Sequence, residues 1–419
     1  MTVYERHLEP RVLEALGDTP VVTLQGSRQT GKSTLAAKVG EQLGARIYTM
    51  DDAATRGAAQ ADPTGFIQAL GGGPVVLDEV QRTPEVILPI KASIDRDRRP
   101  GRFLLTGSAD LLRMPGAQDS LAGRAETLTL NPLSQGELTG RHDDLVSALW
   151  ARLTSLTDLT DFTTAVTRAD LVHRACAGGL PEATARTDRR RSSWFEDYAE
   201  RLVRRDAQDL GQTPPARLRA ALDLVAANQA GELVMAHIAR HVGIAETTAR
   251  SYVDRLRSLF LIQSIAAWSR SPTSRQIKKP KALVTDSGLA AHLADLTEEE
   301  LLSPLGVNQF GPLLEGFVAA ELLRQQTWSA SRFRLSHYRE SGGQEVDLLI
   351  TGPGGAVVGI EVKATVTVTA HHFAGLRRCA ERIGDDFKAG IVMYAGDQAW
   401  SFGAGLLALP VSALWELQA

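Results

Sequence analysis

Cysteine is nearly absent: Cys176 and Cys379 are the two in a chain of 419 residues. Two thiols so far apart exclude a disulfide framework and a cysteine-rich zinc site, and they fit a reducing compartment. A long apolar segment is also missing. The longest uncharged run, Gln398 to Trp415, is interrupted by Gly403, Gly405 and Pro410, which suits a strand and turn rather than a membrane span. The opening MTVYERHLEP carries charge within six residues and lacks a signal-peptide core. Neither sign of charge dominates, since 46 Lys and Arg face 49 Asp and Glu for a net charge of −3. A global basic field for nucleic acid is thereby excluded, and any such binding must come from a local patch. The expectation is a cytoplasmic protein without membrane contact.

What is present suffices for packed cores. With 43% hydrophobic and 23% charged residues, disorder is excluded as the main state. At about 150 residues per domain the length predicts two or three domains. The first third holds the runs VVTLQ (21–25), RIYTMDD (46–52), PVVLDEV (74–80), RFLLTGS (102–108) and AETLTL (125–130), separated by helix-length segments. That alternation predicts an α/β fold with a parallel sheet. From about Leu145 to Leu210 the pattern is helical and arginine-rich, read as a lid with i,i+4 ion pairs on a solvated face. Residues 217–285 predict three helices followed by the strand-like LIQSIAAW and KALVTD, the outline of a winged helix. After a helix at Leu313–Gln325, four runs read as strands: FRLSHYRE, QEVDLLI, AVVGIEVKA and AGIVMYA.

The strongest signal is Gly26-Ser27-Arg28-Gln29-Thr30-Gly31-Lys32-Ser33, with Thr34 next, a G-x-x-x-x-G-K-S loop between an apolar strand and a helix. Its glycines let backbone N–H groups wrap phosphates, Lys32 reaches the β- and γ-oxygens, and the Ser33 hydroxyl ligates Mg²⁺. The helix that starts there adds its positive end. Val75-Val76-Leu77-Asp78-Glu79 reads as a buried strand ending in two acids. Asp78 is placed to hold Mg²⁺ through water, and Glu79 to orient or deprotonate the attacking water. ATP and Mg²⁺ are the expected cofactors.

With GSRQTGKS, VVLDEVQR, LLTGSADLL, SLAGRA, GGLPEA and EVD…EVK together, nearly the whole chain resembles a prokaryotic class of AAA+ ATPases with a winged helix and a nuclease-like C-terminal domain. The resemblance implies that Thr106, with Ser108 as alternate, is the polar sensor between the acids and the γ-phosphate. It implies an arginine finger at Arg124, with Arg113 as runner-up, and therefore a homo-oligomer. No second sensor arginine is found. The expected division is an ATPase core at 1–140, a helical lid at 141–210, a winged-helix-like domain at 211–295 and a nuclease-like domain at 296–419.

In the C-terminal part, a hairpin symmetric about Gly354 would set Asp347 opposite Glu361 and Glu345 opposite Lys363, all on one face. Facing carboxylates repel unless a cation or proton lies between them. A divalent metal there beside Lys363 is the chemistry of phosphodiester hydrolysis. The pattern resembles the D…E-x-K core of the PD-(D/E)xK nuclease superfamily, in which Glu315 would match the acid on the first helix. The implied metal ligands are Asp347, Glu361 and Glu315, for Mg²⁺ or Mn²⁺, with Lys363 as the nuclease lysine. The bland alternative is a solvent-facing hairpin with a Glu345–Lys363 pair. The tract Arg270 to Lys281, with Arg275, Lys278 and Lys279, is a candidate wing for DNA or RNA phosphates, or equally a solvated loop or an inter-domain contact. His371-His372 lacks an evident third ligand.

Two functions remain in play: an ATPase acting on a C-terminal nucleic-acid module, and a nucleotide-dependent switch or scaffold with an inactive nuclease-like domain. A P-loop kinase is disfavoured, because the Asp-Glu strand end suits hydrolysis.

Overall fold

The apolar runs of the first third become a five-stranded sheet in a computed structural model describing residues 3–108, 121–153, 156–206, 214–270, 279–340 and 343–418. β1 (Val21–Gln25), β2 (Arg46–Thr49), β3 (Val75–Asp78), β4 (Phe103–Gly107) and β5 (Ala125–Thr129) lie in the order β2-β3-β4-β1-β5, all parallel. Successive strand residues point to opposite faces. Val21, Leu77, Phe103 and Leu105 accordingly pack with Ile67, Ile87, Ile90 and Ile94 on one side. Val22, Leu24, Val76 and Leu104 pack with Leu8, Val12, Leu35 and Val39 on the other. Both faces are buried at β1, β3 and β4, which is why these strands read as largely apolar runs, while the edge strands β2 and β5 are partly exposed. Parallel pairing also puts the C-terminal ends of β1 and β3 on one edge, where the loops after Gln25 and Asp78 emerge.

The chain divides into two compact units, residues 1–132 with 258–260, and 133–257 with 261–419. The second unit holds two sheets. β6 (Gly231–Glu232), β7 (Ile262–Ile265) and β8 (Lys281–Val284) pair antiparallel with β8 in the centre. The helices Pro215–Ala227, Met235–Val242 and Glu246–Ser258 precede β7 in the chain. The larger sheet is mixed, in the order β13-β14-β12-β11-β10-β9. Its strands are β9 (Arg334–Arg339), β10 (Glu345–Thr351), β11 (Val357–Lys363), β12 (Phe387–Tyr394), β13 (Trp400–Ser401) and β14 (Leu406–Pro410). One face is covered by the helix Ala374–Ile383, which buries Leu376, Cys379 and Ile383 with Val346, Leu349 and Val392.

β10 and β11 pair with Leu348 opposite Ile360 and Thr351 opposite Val357, the register symmetric about Gly354. Beyond β7, Ala267 bridges His337 of β9, with His337 N donating to Ala266 O at 3.0 Å and Trp268 N to His337 O at 2.7 Å. This pairing carries the small sheet onto the edge of the large one.

The arginine-rich helix Asp188–Arg201 departs from the solvated face its sequence suggested. Arg201–Asp197 is an exposed i,i+4 pair, as expected. Arg191, however, is buried and donates to the Ala183 and Arg186 carbonyls while pairing with Asp188 and Glu298. Among the described residues no helix is long and apolar enough to cross a membrane.

Candidate nucleotide site and C-terminal acid cluster

The loop after β1 needs its glycines. Gly26 has φ +150°, and a Cβ there would lie 2.2 Å from the Leu130 carbonyl oxygen. Gly31 has φ +94° and caps the helix Lys32–Gln42 without a side chain. The first-turn N–H groups of that helix thus have no capping side chain and suit an anion. Within the loop, Thr30 Oγ1 donates to Ser27 O at 3.0 Å. The buried Lys32 donates from Nζ to Gly26 O at 2.9 Å and Ser27 O at 2.7 Å, so its ammonium lies inside the loop it would share with phosphates. Arg28 is half-buried, while Gln29, at φ 62°, Ser33 and Thr34 face solvent. From outside the motif, Arg6 donates to Thr30 O at 2.6 Å and to Asn131 O at 2.7 Å, bracing the loop.

Beside the loop, the end of β3 gathers hydroxyls around a carboxylate. Asp78 accepts from Ser33 Oγ at 2.8 Å, from Thr106 Oγ1 at 2.6 Å and from Thr49 Oγ1 at 3.1 Å. Thr106, fully buried, also accepts from the Glu79 N–H at 3.0 Å. Its hydroxyl therefore holds both acids. Glu79 has φ 58°, the left-handed region, where a non-glycine residue costs on the order of 1–3 kcal/mol and persists only when its surroundings fix it. Gln81 supplies part of that fixing: its Nε2 donates to the Glu79 carboxylate and, at 2.9 Å, to Ser108 Oγ. Ser108 Oγ stands 3.5 Å from the same Glu79 oxygen. Ser33 and Asp78 together offer hard oxygen ligands of the kind Mg²⁺ takes.

Arg124 lies elsewhere. It precedes Ala125, which pairs with Val21 at the start of β1, whereas the phosphate loop follows Gln25 at its end. Five strand residues at roughly 3.3 Å each separate these edges. Arg124 Nε donates to Asp95 Oδ1 at 2.6 Å. With Arg98 it lines an open cleft of about 520 Å³. Arg113, the runner-up, lies outside the described residues.

The C-terminal acids do converge. Val362 N donates to Asp347 Oδ2 at 2.8 Å, across the hairpin, and Glu315 approaches from the helix Val307–Gln325. The Glu345–Lys363 pair does not form. Lys363 Nζ instead donates to Glu361 Oε1 of its own strand at 2.7 Å. Glu345 pairs with Lys281, whose Nζ is 2.6 Å from Glu315, 2.7 Å from Glu345 and 3.9 Å from Asp347. Glu361 Oε2 is buried and accepts no hydrogen bond. Burial, and then the Asp347 charge, push the Glu315 and Glu361 carboxyls above their ordinary range, and burial raises Asp347 too. Burial works against the Lys281 charge, yet Glu315 and Asp347 hold it above the usual lysine range.

Of the basic tract, Lys281 does not belong to a solvated wing. Lys281, 3% exposed, faces the acids and not solvent, because it opens the central strand β8. Arg270 donates to the Ile383 carbonyl. Arg275 and Lys278 lie outside the described residues. His371 and His372 sit in a 3₁₀ turn, Ala370–Phe373, where His372 Nδ1 accepts from Thr369 N.

Thr49, Gln81 and Arg6 were assigned no role from the sequence, and Lys281 was placed in the basic tract rather than with the acids. Gln81 stood inside the quoted VVLDEVQR, and Lys281 was legible as a charge heading an apolar run. Thr49 and Arg6 carry no local signal.

Known proteins bear on this geometry. Residues 18–139 match the family described as AAA domain, so the first unit carries a P-loop domain of the AAA ATPase type. Residues 168–300 and 310–414 match two domains of unknown function, DUF8612 and DUF4143. The uncharacterized protein Rv2008c of Mycobacterium tuberculosis is 30% identical over 371 residues, 88% of this chain and 75% of that one. The chain belongs to its family. Mb2031c of Mycobacterium bovis, also uncharacterized, matches to the same extent. Among solved structures, the Walker-type ATPase PABY2304 of Pyrococcus abyssi is 14% identical at a TM-score of 0.40, covering 70% of this chain and 96% of that one. The RuvB Holliday junction branch migration motor of Thermotoga maritima is 18% identical at 0.30, covering 66% and 90%.

Proposed function

We propose that the chain binds and hydrolyses Mg-ATP at the loop after β1. The carrying observation is the set Ser33–Asp78–Thr106–Glu79, hydrogen-bonded beside a phosphate-type loop. Lys32 and the first-turn amides bind the phosphates. Mg²⁺, with Ser33 and Asp78 as its protein ligands, would neutralise charge on the β- and γ-oxygens. Glu79 orients the attacking water and accepts its proton. Thr106 fixes the spacing of the two acids. Ser108, with its hydroxyl directed at Glu79, takes the polar sensor position more readily than Thr106, which is already engaged with both.

Turnover depends on self-association in this reading. Arg124 sits at the edge of the sheet remote from its own loop, so it serves a neighbouring copy, with Asp95 holding it until then. Phosphate release, measured against protein concentration, tests both parts: it should rise more than linearly. No release at any concentration would leave a nucleotide-binding switch.

Phosphodiester cleavage by the C-terminal half would need a divalent cation among Asp347, Glu361 and Glu315. An ammonium already within 2.6 Å of Glu315 and 2.7 Å of Glu345 opposes that fit. This half is therefore read as a scaffold that the ATPase unit acts with, and no hydrolytic step is assigned to it.

A further inference from the structure

Four carboxylates meet in the second unit: Glu315 from a helix, Glu345 and Asp347 from β10, and Glu361 from β11. Such a set ordinarily requires a cation. One ammonium, that of Lys363, is taken by Glu361 at 2.7 Å. The other comes from a different sheet. Lys281 begins β8, pairing with Glu232 of β6 and Ile265 of β7. Two residues earlier, His337 Nε2 of β9 meets Lys279 O at 3.0 Å, and Ala267 bridges His337. The backbone is thus tied to the edge of the large sheet just before Lys281, which leaves that side chain buried and pointed at β10.

We infer that Lys281 is the resident counter-cation of this acid cluster and keeps divalent metal out of it. Mg²⁺ and Mn²⁺ need oxygen lone pairs at about 2.0–2.2 Å in a near-octahedral shell. The Lys281 ammonium occupies lone pairs of Glu315 and Glu345 and stands 3.9 Å from Asp347. It repels a dication and has no lone pair of its own to offer. The cluster is then a socket that pins β8, and with it the small sheet, to the large one. This reading concerns the second unit alone and holds whether or not the first hydrolyses ATP.

The test is Mn²⁺ binding to the full, nucleotide-free chain, followed by electron paramagnetic resonance of the free ion. All variants share the phosphate loop, so its contribution cancels. Wild type and Asp347→Asn should bind equal numbers of Mn²⁺. Lys281→Met should bind one more ion per chain, and Lys281→Met combined with Asp347→Asn should lose it. Mn²⁺ should also raise the melting temperature of Lys281→Met alone. A Mn²⁺ in wild type that Asp347→Asn removes would overturn the inference, as would a folded Lys281→Met that gains none. If Lys281→Met does not fold, wild type against Asp347→Asn still decides between the two outcomes.

Discussion

Two sets of carboxylate surroundings occur in this chain, and they differ in kind. Asp78 is ringed by the hydroxyls of Ser33, Thr49 and Thr106. Glu315, Glu345 and Asp347 are gathered by one buried ammonium. A hydroxyl is a neutral donor that keeps lone pairs, so it can turn and become a ligand beside the acid. An ammonium donates three times, accepts nothing and brings a charge of its own. On the proposed reading, the acids of the first unit are available to a metal and those of the second are closed to it. Spacing in the sequence identifies the acids; the groups packed around them decide their chemistry.

The largest expected effect is at the phosphate loop. Lys32→Ala should abolish ATP binding, read by calorimetry, while the melting of the second unit stays unchanged. Arg124→Ala comes next. Removing a finger of this type costs roughly 10³-fold or more in turnover, with nucleotide affinity retained. Undiminished turnover in that variant would leave Arg124 as a surface partner of Asp95 and nothing more.

The comparison sharpens on stability. Lys281→Ala leaves buried acids without their cation and should destabilise the second unit by about 3–5 kcal/mol, the range for breaking a buried pair. Thr49→Val removes one hydroxyl from Asp78, which keeps two others, and should cost only about 1 kcal/mol. Scanning calorimetry measures both. Equal effects would mean that the two groups of acids are held alike, against the distinction drawn above.

Much of the first unit is legible in the sequence because its signals are local. The loop Gly26–Ser33 links consecutive elements, and Asp78 and Glu79 end an apolar run. The hairpin register was legible for the same reason, since a turn centred on Gly354 sets Leu348 against Ile360. What stayed hidden depends on partners distant in the chain. Lys281 meets Glu315 across 34 residues, and Arg6 reaches Thr30 across 24. No periodicity encodes such meetings. A lysine in a basic tract does not reveal its partner until β8 proves to be the middle strand of its sheet, with one neighbour leading onto β9. Arg191 misled likewise, an arginine among arginines that folds inward to two backbone carbonyls.

The central claim is that the hydroxyl-ringed acids of the first unit run a hydrolytic site, with Glu79 activating water. Single-turnover phosphate release from wild type and Glu79→Gln, each saturated with Mg-ATP, tests it most directly. The account predicts equal ATP occupancy and a fall in the rate of at least ~10²-fold, the lower end for loss of a positioned general base. Phosphate release from Glu79→Gln at the wild-type rate would contradict it.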